Sequence, residues 1–350
     1  MNSEFNLENL VRPNVLKMKP YSSARDEYKT EGQKMTFLDA NENPFENGVN
    51  RYPDPQQLKL KQELASQKGV SVSNILLGNG SDEVLDLIFR AFCRPQVDNV
   101  ITLPPTYGMY KVLAELNEIE DRKVLLKNDF QPDFEKIHAE VDDMTKLIFL
   151  CSPNNPTGNS FSEASVEKIL KNFSGLVVID EAYIDFSAGR SWLERLEEFP
   201  NLVLTQTLSK AYGLAGIRLG ICYASAEIIR ILNKIKPPYN VNELTQQKAL
   251  ERLSKPEEVN QEIEILLEER KQLINDLSKM AFVKQIFESD ANFLLVRVED
   301  AGKKYEQLIK AGVVVRNRSN QELCENTLRF TIGTPEENNQ LMKILKQLEA

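Results

Sequence analysis

Leu202-Val203-Leu204-Thr205-Gln206-Thr207-Leu208-Ser209-Lys210-Ala211-Tyr212-Gly213-Leu214-Ala215-Gly216-Ile217-Arg218 is an apolar run that passes directly into a polar, glycine-bearing turn around one lysine. Leu202 to Leu204 reads as a buried strand. A lysine set among Ser, Thr, Gly and Ala has its amine held close to a ligand and partly out of water. Partial desolvation lowers a lysine pKa and frees the amine as a nucleophile or base. Thr207 and Ser209 offer hydroxyl donors, and Arg218 offers a fixed fork of N–H groups. That combination suits a phosphate-bearing carbonyl compound held covalently by Lys210. Taken alone, a Ser-Lys pair favours an ordinary surface lysine in a polar turn, so the choice rests on the rest of the chain.

Working outward, the same grammar repeats. Leu176-Val177-Val178-Ile179-Asp180-Glu181-Ala182-Tyr183 is a buried strand ending in a carboxylate and a phenol. Leu147 to Cys151 is another, followed by Ser152-Pro153-Asn154-Asn155-Pro156-Thr157-Gly158. Asn99 to Leu103 is a strand broken by Pro104-Pro105-Thr106-Tyr107-Gly108-Met109-Tyr110, which begins a helix. Ile75-Leu76-Leu77 runs into Gly78-Asn79-Gly80-Ser81-Asp82-Glu83, and Val84, Leu85, Leu87, Ile88, Ala91 and Phe92 then keep helical spacing. Ser81 or Asp82 is the expected N-cap. Free backbone N–H groups at such a helix start make a phosphate site, although most Gly-Ser-Asp turns before helices are only caps.

Further strands are expected over Phe37 to Ala40 and Lys123 to Leu126, and helices over Leu58 to Lys68, Phe134 to Val141 and Ser162 to Phe173, the last with a weak capping box. Residues 1–40 read as otherwise irregular, and Arg51-Tyr52-Pro53-Asp54 as an exposed turn. Short apolar strands alternating with helices indicate an α/β fold with a largely parallel, doubly covered sheet. Ligands in such sheets sit at the carboxyl ends of the strands. Gly80-Ser81-Asp82, Tyr107, Asn155, Asp180 with Tyr183, and Ser209 with Lys210 all follow strand ends and are expected to converge on one crevice.

Beyond Pro237-Pro238-Tyr239 the pattern changes: a long charged helix from about Pro256 to Lys279, then alternating strands and helices to Leu348. The expected division is an N-terminal arm with part of a small domain (1–45), a large domain (46–245) and a small α+β domain (246–350).

With 350 residues, 41% of them hydrophobic and 27% charged, the chain is an ordinary globular protein of about two domains. A formal net charge of −9 argues against a nucleic-acid surface. The four cysteines (Cys93, Cys151, Cys222, Cys324) are widely spaced in or beside apolar runs and read as reduced, buried thiols. A single histidine, His138, leaves no material for a His triad or multi-His metal centre and reads as a surface helix residue. No apolar run is long enough to span a membrane, and the N-terminus lacks signal-peptide regions, so a cytoplasmic location is expected.

Taken together, Lys19-Pro20-Tyr21, Asn41-Glu42-Asn43-Pro44, Arg51-Tyr52-Pro53-Asp54, the Gly78–Glu83 turn, Pro105-Thr106-Tyr107, the Ser152–Gly158 turn, Asp180-Glu181-Ala182-Tyr183, Ser209-Lys210 with Ala215–Gly220, and Leu328-Arg329-Phe330-Thr331-Ile332-Gly333 give the chain, over essentially its whole length, a pattern that resembles the fold-type I, pyridoxal-phosphate-dependent aminotransferases, and within them the histidinol-phosphate aminotransferases. The resemblance implies pyridoxal 5′-phosphate as cofactor and no metal. It implies that Lys210 binds the cofactor aldehyde covalently and then moves the substrate proton, that Asp180 pairs with the pyridine nitrogen, and that Tyr183 and Asn155 bond the ring oxygen. Tyr107 is implied to stack on the ring, and Gly80, Ser81, Asp82, Thr207, Ser209 and Arg218 to hold the phosphate. Tyr52 is implied to reach that phosphate from the other subunit of a homodimer. Arg316 and Arg329 are implied to read the anion of histidinol phosphate and of glutamate, with Tyr21 and Asn292 nearby; Arg318 competes with Arg316 for that role. The alternatives are an aromatic amino-acid aminotransferase or threonine-phosphate decarboxylase on the same fold, or a non-catalytic cofactor-binding regulator.

Overall fold

The computed structural model describes residues 5–21 and 36–349. Parts of the irregular stretch expected over 1–40 therefore lie outside the described residues. Seven strands form the central sheet: β1 (Ile75–Asn79), β2 (Asn99–Thr102), β3 (Glu120–Lys123), β4 (Thr145–Cys151), β5 (Leu176–Asp180), β6 (Leu202–Thr207) and β7 (Leu219–Ala224), in the order β1-β7-β6-β5-β4-β2-β3. Pairing is parallel from β3 through β6, while β7 is antiparallel to both β6 and β1. Two reversals restore direction, so β1 runs the same way as β6. The carboxyl ends of six strands share one edge.

Strands β5 and β6 are buried at every position, which explains their unbroken apolar runs. Alternate residues face two layers. Ile148, Leu150, Val177, Ile179, Leu202 and Leu204 pack on one side, with helices Leu58–Lys68 and Glu163–Asn172. Leu147, Phe149, Leu176, Val178 and Val203 pack on the other, with helices Ser81–Phe92 and Ala226–Ile235. Residues near the N-terminus join this second layer through Val11 and Val15. Helix Glu243–Leu253, which the expected boundary at 245/246 divides, sends Ala249 and Leu253 into the first layer.

A second sheet, all antiparallel, comprises β8 (Val283–Ile286), β9 (Phe293–Val298), β10 (Arg316–Asn317) and β11 (Thr327–Thr331), ordered β10-β11-β9-β8. Its core joins Leu273 and Leu277 of the long helix Pro256–Leu277 to Leu294, Val296, Leu328 and the terminal helix Pro335–Gln347.

Four local expectations are corrected. The described part of 1–40, read as irregular, holds two short helices, Leu7–Leu10 and Pro13–Lys17, the second begun by a proline suited to a first helical turn. No strand forms at Phe37 to Ala40; the chain bends there, and the Glu42 carboxylate takes a bond from Arg51 (2.8 Å) and from the Tyr52 N–H (2.6 Å). β3 is Glu120–Lys123, three residues earlier than the expected Lys123 to Leu126. It is an edge strand carrying charge, as exposed edges do, while Val124 and Leu126 turn into the core. The N-cap of helix Ser81–Phe92 is Gly80, so Ser81 and Asp82 are its first two residues. The four cysteines are free and buried, and His138 is exposed, stacked on Phe134. No helix among the described residues is long and apolar enough to cross a membrane.

Candidate active site

At the shared strand edge, the loops after β1, β2, β4, β5 and β6 close around one cavity of about 110 Å³. Ser81, Asp82, Tyr107, Asn155, Asp180, Tyr183, Thr207, Ser209, Lys210 and Arg218 line it, together with Cys151, Ala182 and Ala215. The expected convergence is present. A wider groove of about 420 Å³ lies between Ala40–Pro53 and Asn242–Leu244. None of the strand-end groups that bracket Lys210 lines it.

β6 delivers Lys210. Beyond Thr207 the chain turns and is stapled to β7: Leu208 N–H donates to the Leu219 carbonyl (3.2 Å), and Leu214 N–H returns to Leu208 (3.0 Å). Leu208 and Ala211 are buried, so the turn is anchored in core and the lysine is aimed into the cavity. Its pKa is lowered, first by burial and then by the nearby Arg329 guanidinium, with Asp180 opposing. The Nζ lies 5.7 Å from the centre of the Tyr183 ring. Tyr183 is itself buried, edge-on to Phe293 (5.1 Å).

β5 delivers Asp180, which is buried. One oxygen accepts from the Tyr110 hydroxyl (3.0 Å), the other from the Ala182 N–H (3.1 Å). Burial raises its pKa while these neutral donors pull it down, and the net direction is up. A buried carboxylate with neutral hydrogen-bond partners is stabilised by any cationic N–H brought into the cavity. Tyr110 was not among the expected site residues, because its place three positions after Tyr107 reads as the buried face of a helix. It is fully buried, stacked on Phe149 (4.9 Å) and edge-on to Tyr107 (5.6 Å). Tyr110→Phe keeps that packing and removes the donor. Because the donor stabilises the charged form, its loss raises the Asp180 pKa further. The expected result is a kcat/KM lowered by about tenfold, the worth of one hydrogen bond to a charged group, and an acid limb of the pH–kcat/KM profile displaced to higher pH. An unmoved acid limb would refute it.

The start of helix Ser81–Phe92 has no side-chain cap. Asp82 is committed elsewhere, accepting from the Tyr107 hydroxyl (3.0 Å) and lying 3.5 Å from Arg218 Nη2. The first-turn N–H groups are thus left for an anion. Two glycines let the surrounding backbone close up. Gly80 has φ +83°, and a Cβ there would meet Arg218 Nη2 at 2.6 Å; a Cβ on Gly220 of β7 would meet the Ser81 nitrogen at 2.2 Å. Thr207 Oγ1 lies 3.0 Å from Ser209 Oγ and accepts from the Ser209 N–H (3.1 Å). These groups fit a phosphate, Asp180 fits a protonated ring nitrogen, and the Lys210 amine, its pKa lowered, fits an aldehyde: the donor set matches pyridoxal 5′-phosphate.

Asn155 is buried and accepts a bond from Arg329 Nη1. Its neighbour Asn154 holds the turn, bonding the Pro105 carbonyl (2.8 Å) and Thr157 (2.7 Å). Arg329 lies over the Phe293 ring (5.1 Å), and burial lowers its pKa to about 10. Arg316, opposite Arg329 in the β10–β11 register, is exposed, while Arg318 is half-buried. Asn292 supports this sheet through its carbonyl, which accepts from Ile332 N–H (2.9 Å). Tyr21 is 72% exposed and is not brought to the cavity. Tyr52 is half-exposed, stacked on Tyr239 (4.5 Å), and lines the wide groove instead.

Residues 25–345 match the family of aminotransferases of class I and II. The chain is 62% identical to the histidinol-phosphate aminotransferase of Christiangramia forsetii, over 99% of each, and 54% identical to that of Bacteroides thetaiotaomicron, over 98% of this chain and 99% of the relative. Among solved structures it is similar to the histidinol-phosphate aminotransferase of Clostridium acetobutylicum, with a TM-score of 0.79 at 25% identity, covering 86% of this chain and 91% of that one. It shares its fold with the histidinol-phosphate aminotransferase of Sinorhizobium meliloti, solved in complex with pyridoxal-5′-phosphate, with a TM-score of 0.78 at 23% identity, covering 85% and 83%. With the family match spanning nearly the whole chain, and the lysine, the carboxylate and the anion-binding turn meeting at one strand edge, the chain belongs to the class I and II aminotransferases.

Proposed function

We propose that the protein is a pyridoxal-phosphate-dependent enzyme that transfers an amino group between L-histidinol phosphate and 2-oxoglutarate, forming imidazole acetol phosphate and L-glutamate, in cytoplasmic L-histidine biosynthesis. The observation that carries this reading is the grouping of a lysine of lowered pKa, a buried carboxylate with neutral partners and an uncapped helix start around one cavity, beside Arg316 and Arg329, which form no ion pair among the described residues. The names of the relatives agree with it.

When bound, pyridoxal phosphate supplies a reactive aldehyde and an electron-accepting ring. The chain's residues do the rest. The N–H groups of Ser81 and Asp82, the hydroxyls of Thr207 and Ser209, and Arg218 hold the phosphate. Asp180, oriented by Tyr110, keeps a proton on the ring nitrogen. Tyr107, its hydroxyl pinned to Asp82, covers one ring face. Asn155 and Tyr183 bond the ring oxygen. Lys210, whose pKa is lowered by partial burial and by Arg329, takes the proton from the substrate's α-carbon and returns it on the cofactor side. Arg329 and Arg316 fork the substrate anion. One arginine set then serves both the phosphate of histidinol phosphate and the carboxylate of glutamate in turn.

The reading also includes a homodimer. Val49 and Leu244 are exposed apolar residues that line the wide groove with Tyr52, an arrangement that suits the seat of a second subunit. From there Tyr52 would complete the neighbour's phosphate site.

A half-reaction tests the function. Mixed with L-histidinol phosphate and no keto acid, the holoenzyme is expected to convert its cofactor stoichiometrically to the amine form, much faster than with phenylalanine. A phenylalanine rate that exceeds the histidinol phosphate rate would replace this reading by the aromatic one. Release of carbon dioxide from phosphothreonine would point to the decarboxylase.

A further inference from the structure

We propose that Arg318 is a third guanidinium of the substrate-anion site and sets the enzyme's preference for a phosphate ester over a carboxylate. The inference rests on the function proposed above and adds to it a residue that discriminates between the two substrates.

The register of the small sheet places it. Arg316 lies opposite Arg329, Asn317 lies opposite Leu328, and the Arg318 N–H continues the ladder to the Thr327 carbonyl (2.9 Å). Residues directly opposite in an antiparallel pair share a face, and so do residues two apart along a strand. Arg316, Arg318 and Arg329 are thus on one face. Leu328, on the opposite face, is in the core of the small sheet, so the three arginines face away from that core. Arg329 reaches Asn155 of the cavity lining. Behind Arg318 the chain is held in a tight turn, with Gln321 N–H donating to the Arg318 carbonyl (3.0 Å) and Ser319 N–H to Asn317 Oδ1 (2.9 Å).

The charge and bonding state of the trio is unusual. Among the described residues none of the three takes part in an ion pair. The Nε atoms of Arg318 and Arg329 are both buried and without a hydrogen-bond partner. After burial, the Arg318 guanidinium acts on Arg329 most strongly, Tyr183 opposes it, and Arg316 adds to the lowering. Three cations collected without a carboxylate, two of them with unused buried donors, are costly unless an anion joins them.

The anion's shape decides between substrates. A carboxylate carries one charge and two oxygens, which one or two guanidinium forks satisfy. A phosphate ester carries close to two charges and three terminal oxygens. Its third oxygen and second charge are what a third guanidinium can use.

Arg318→Gln and Arg318→Lys holoenzymes test this in separate half-reactions. In Arg318→Gln, kcat/KM for L-histidinol phosphate is expected to fall roughly ten- to a hundredfold, the range for a hydrogen bond to a charged group, while kcat/KM for glutamate changes by less than about threefold. Arg318→Lys, which keeps the charge, is expected to recover part of the loss. Inhibition of the glutamate half-reaction by inorganic phosphate gives a reading independent of the donor's identity, and phosphate is expected to inhibit Arg318→Gln more weakly than the unsubstituted enzyme. Equal losses on both substrates, or an unchanged phosphate inhibition, would overturn the proposal. An unsubstituted enzyme that ignores histidinol phosphate yet loses phosphate inhibition on substitution would instead sink the function reading and leave the anion site standing.

Discussion

Lys210→Ala is expected to abolish transamination, lowering kcat by at least about 10⁴-fold, while the protein stays folded. The loss combines two roles, covalent attachment of the cofactor and proton transfer at the substrate's α-carbon, the second alone contributing about 10²–10⁴-fold. The fold should survive because Lys210 holds nothing up: the turn that presents it is stapled by Leu208, Leu214 and Leu219, and anchored by the buried Ala211. Its lowered pKa also gives a sign. The unfolded chain binds this proton more tightly than the folded one, so the charged lysine costs stability below its folded pKa, and the cost disappears as pH rises past the unfolded value. The cofactor-free alanine variant should therefore be at least as stable as the unsubstituted protein at neutral pH. Steady-state turnover and urea unfolding check both halves. Turnover within tenfold of the unsubstituted enzyme would remove Lys210 from the chemistry.

Asp180→Asn is the second large effect, an expected fall in kcat of about 10³-fold or more, since the asparagine offers no negative charge to keep a proton on the ring nitrogen. Its stability signature runs the other way from most core substitutions. Burial raises the Asp180 pKa in the folded protein, so the ionised carboxylate is a penalty that is fully present above the folded pKa and absent below the unfolded one. The cofactor-free asparagine variant should be more stable than the unsubstituted protein at neutral pH, and the gap should close on acidification. That is the pattern of a residue retained for function at a cost in stability. An asparagine variant that is less stable at neutral pH, with activity intact, would make Asp180 a structural residue. Adding pyridoxal phosphate should narrow the gap too, by stabilising the protein that has the carboxylate.

Much of this architecture is legible in the chain because both faces of the central sheet are covered. Leu176 to Ile179 has no polar residue to interrupt it, and the first polar group, Asp180, marks the strand's carboxyl end and the site together. The same reading finds Tyr107, Asn155, Ser209 and Lys210. It misses Tyr110, whose hydroxyl acts from a helix face that periodicity assigns to the core, and it misses that Glu181, beside Asp180, is a structural carboxylate. Ser191 Oγ (2.6 Å), Trp192 N–H (2.8 Å) and Gln206 (2.8 Å) all bond it. Two adjacent acids thus have opposite uses, and only their alternation about the strand separates them. The strand expected near Phe37 fails for a related reason: apolar residues there lie at an exposed surface, and a polar anchor, Glu42, shapes the loop.

The sequence by itself determined most of the large sheet's strands, their alternation with helices and the residue types of the site, because periodicity and side-chain chemistry are local properties; it left out the edge strand β8, whose residues are only partly buried. Tertiary structure alone decided that β7 inserts antiparallel between β1 and β6. That insertion sets β1 parallel to β6 and puts the Gly80 turn against Arg218, residues 138 apart in the chain. It also decided that Arg318 joins Arg329, through a register fixed by backbone pairing. The electrostatics had to wait for packing as well: Asp180 is buried by the neighbouring strands, and the Lys210 pKa is lowered by partial burial and by Arg329, 119 residues away in the chain, which no run of adjacent residues can do.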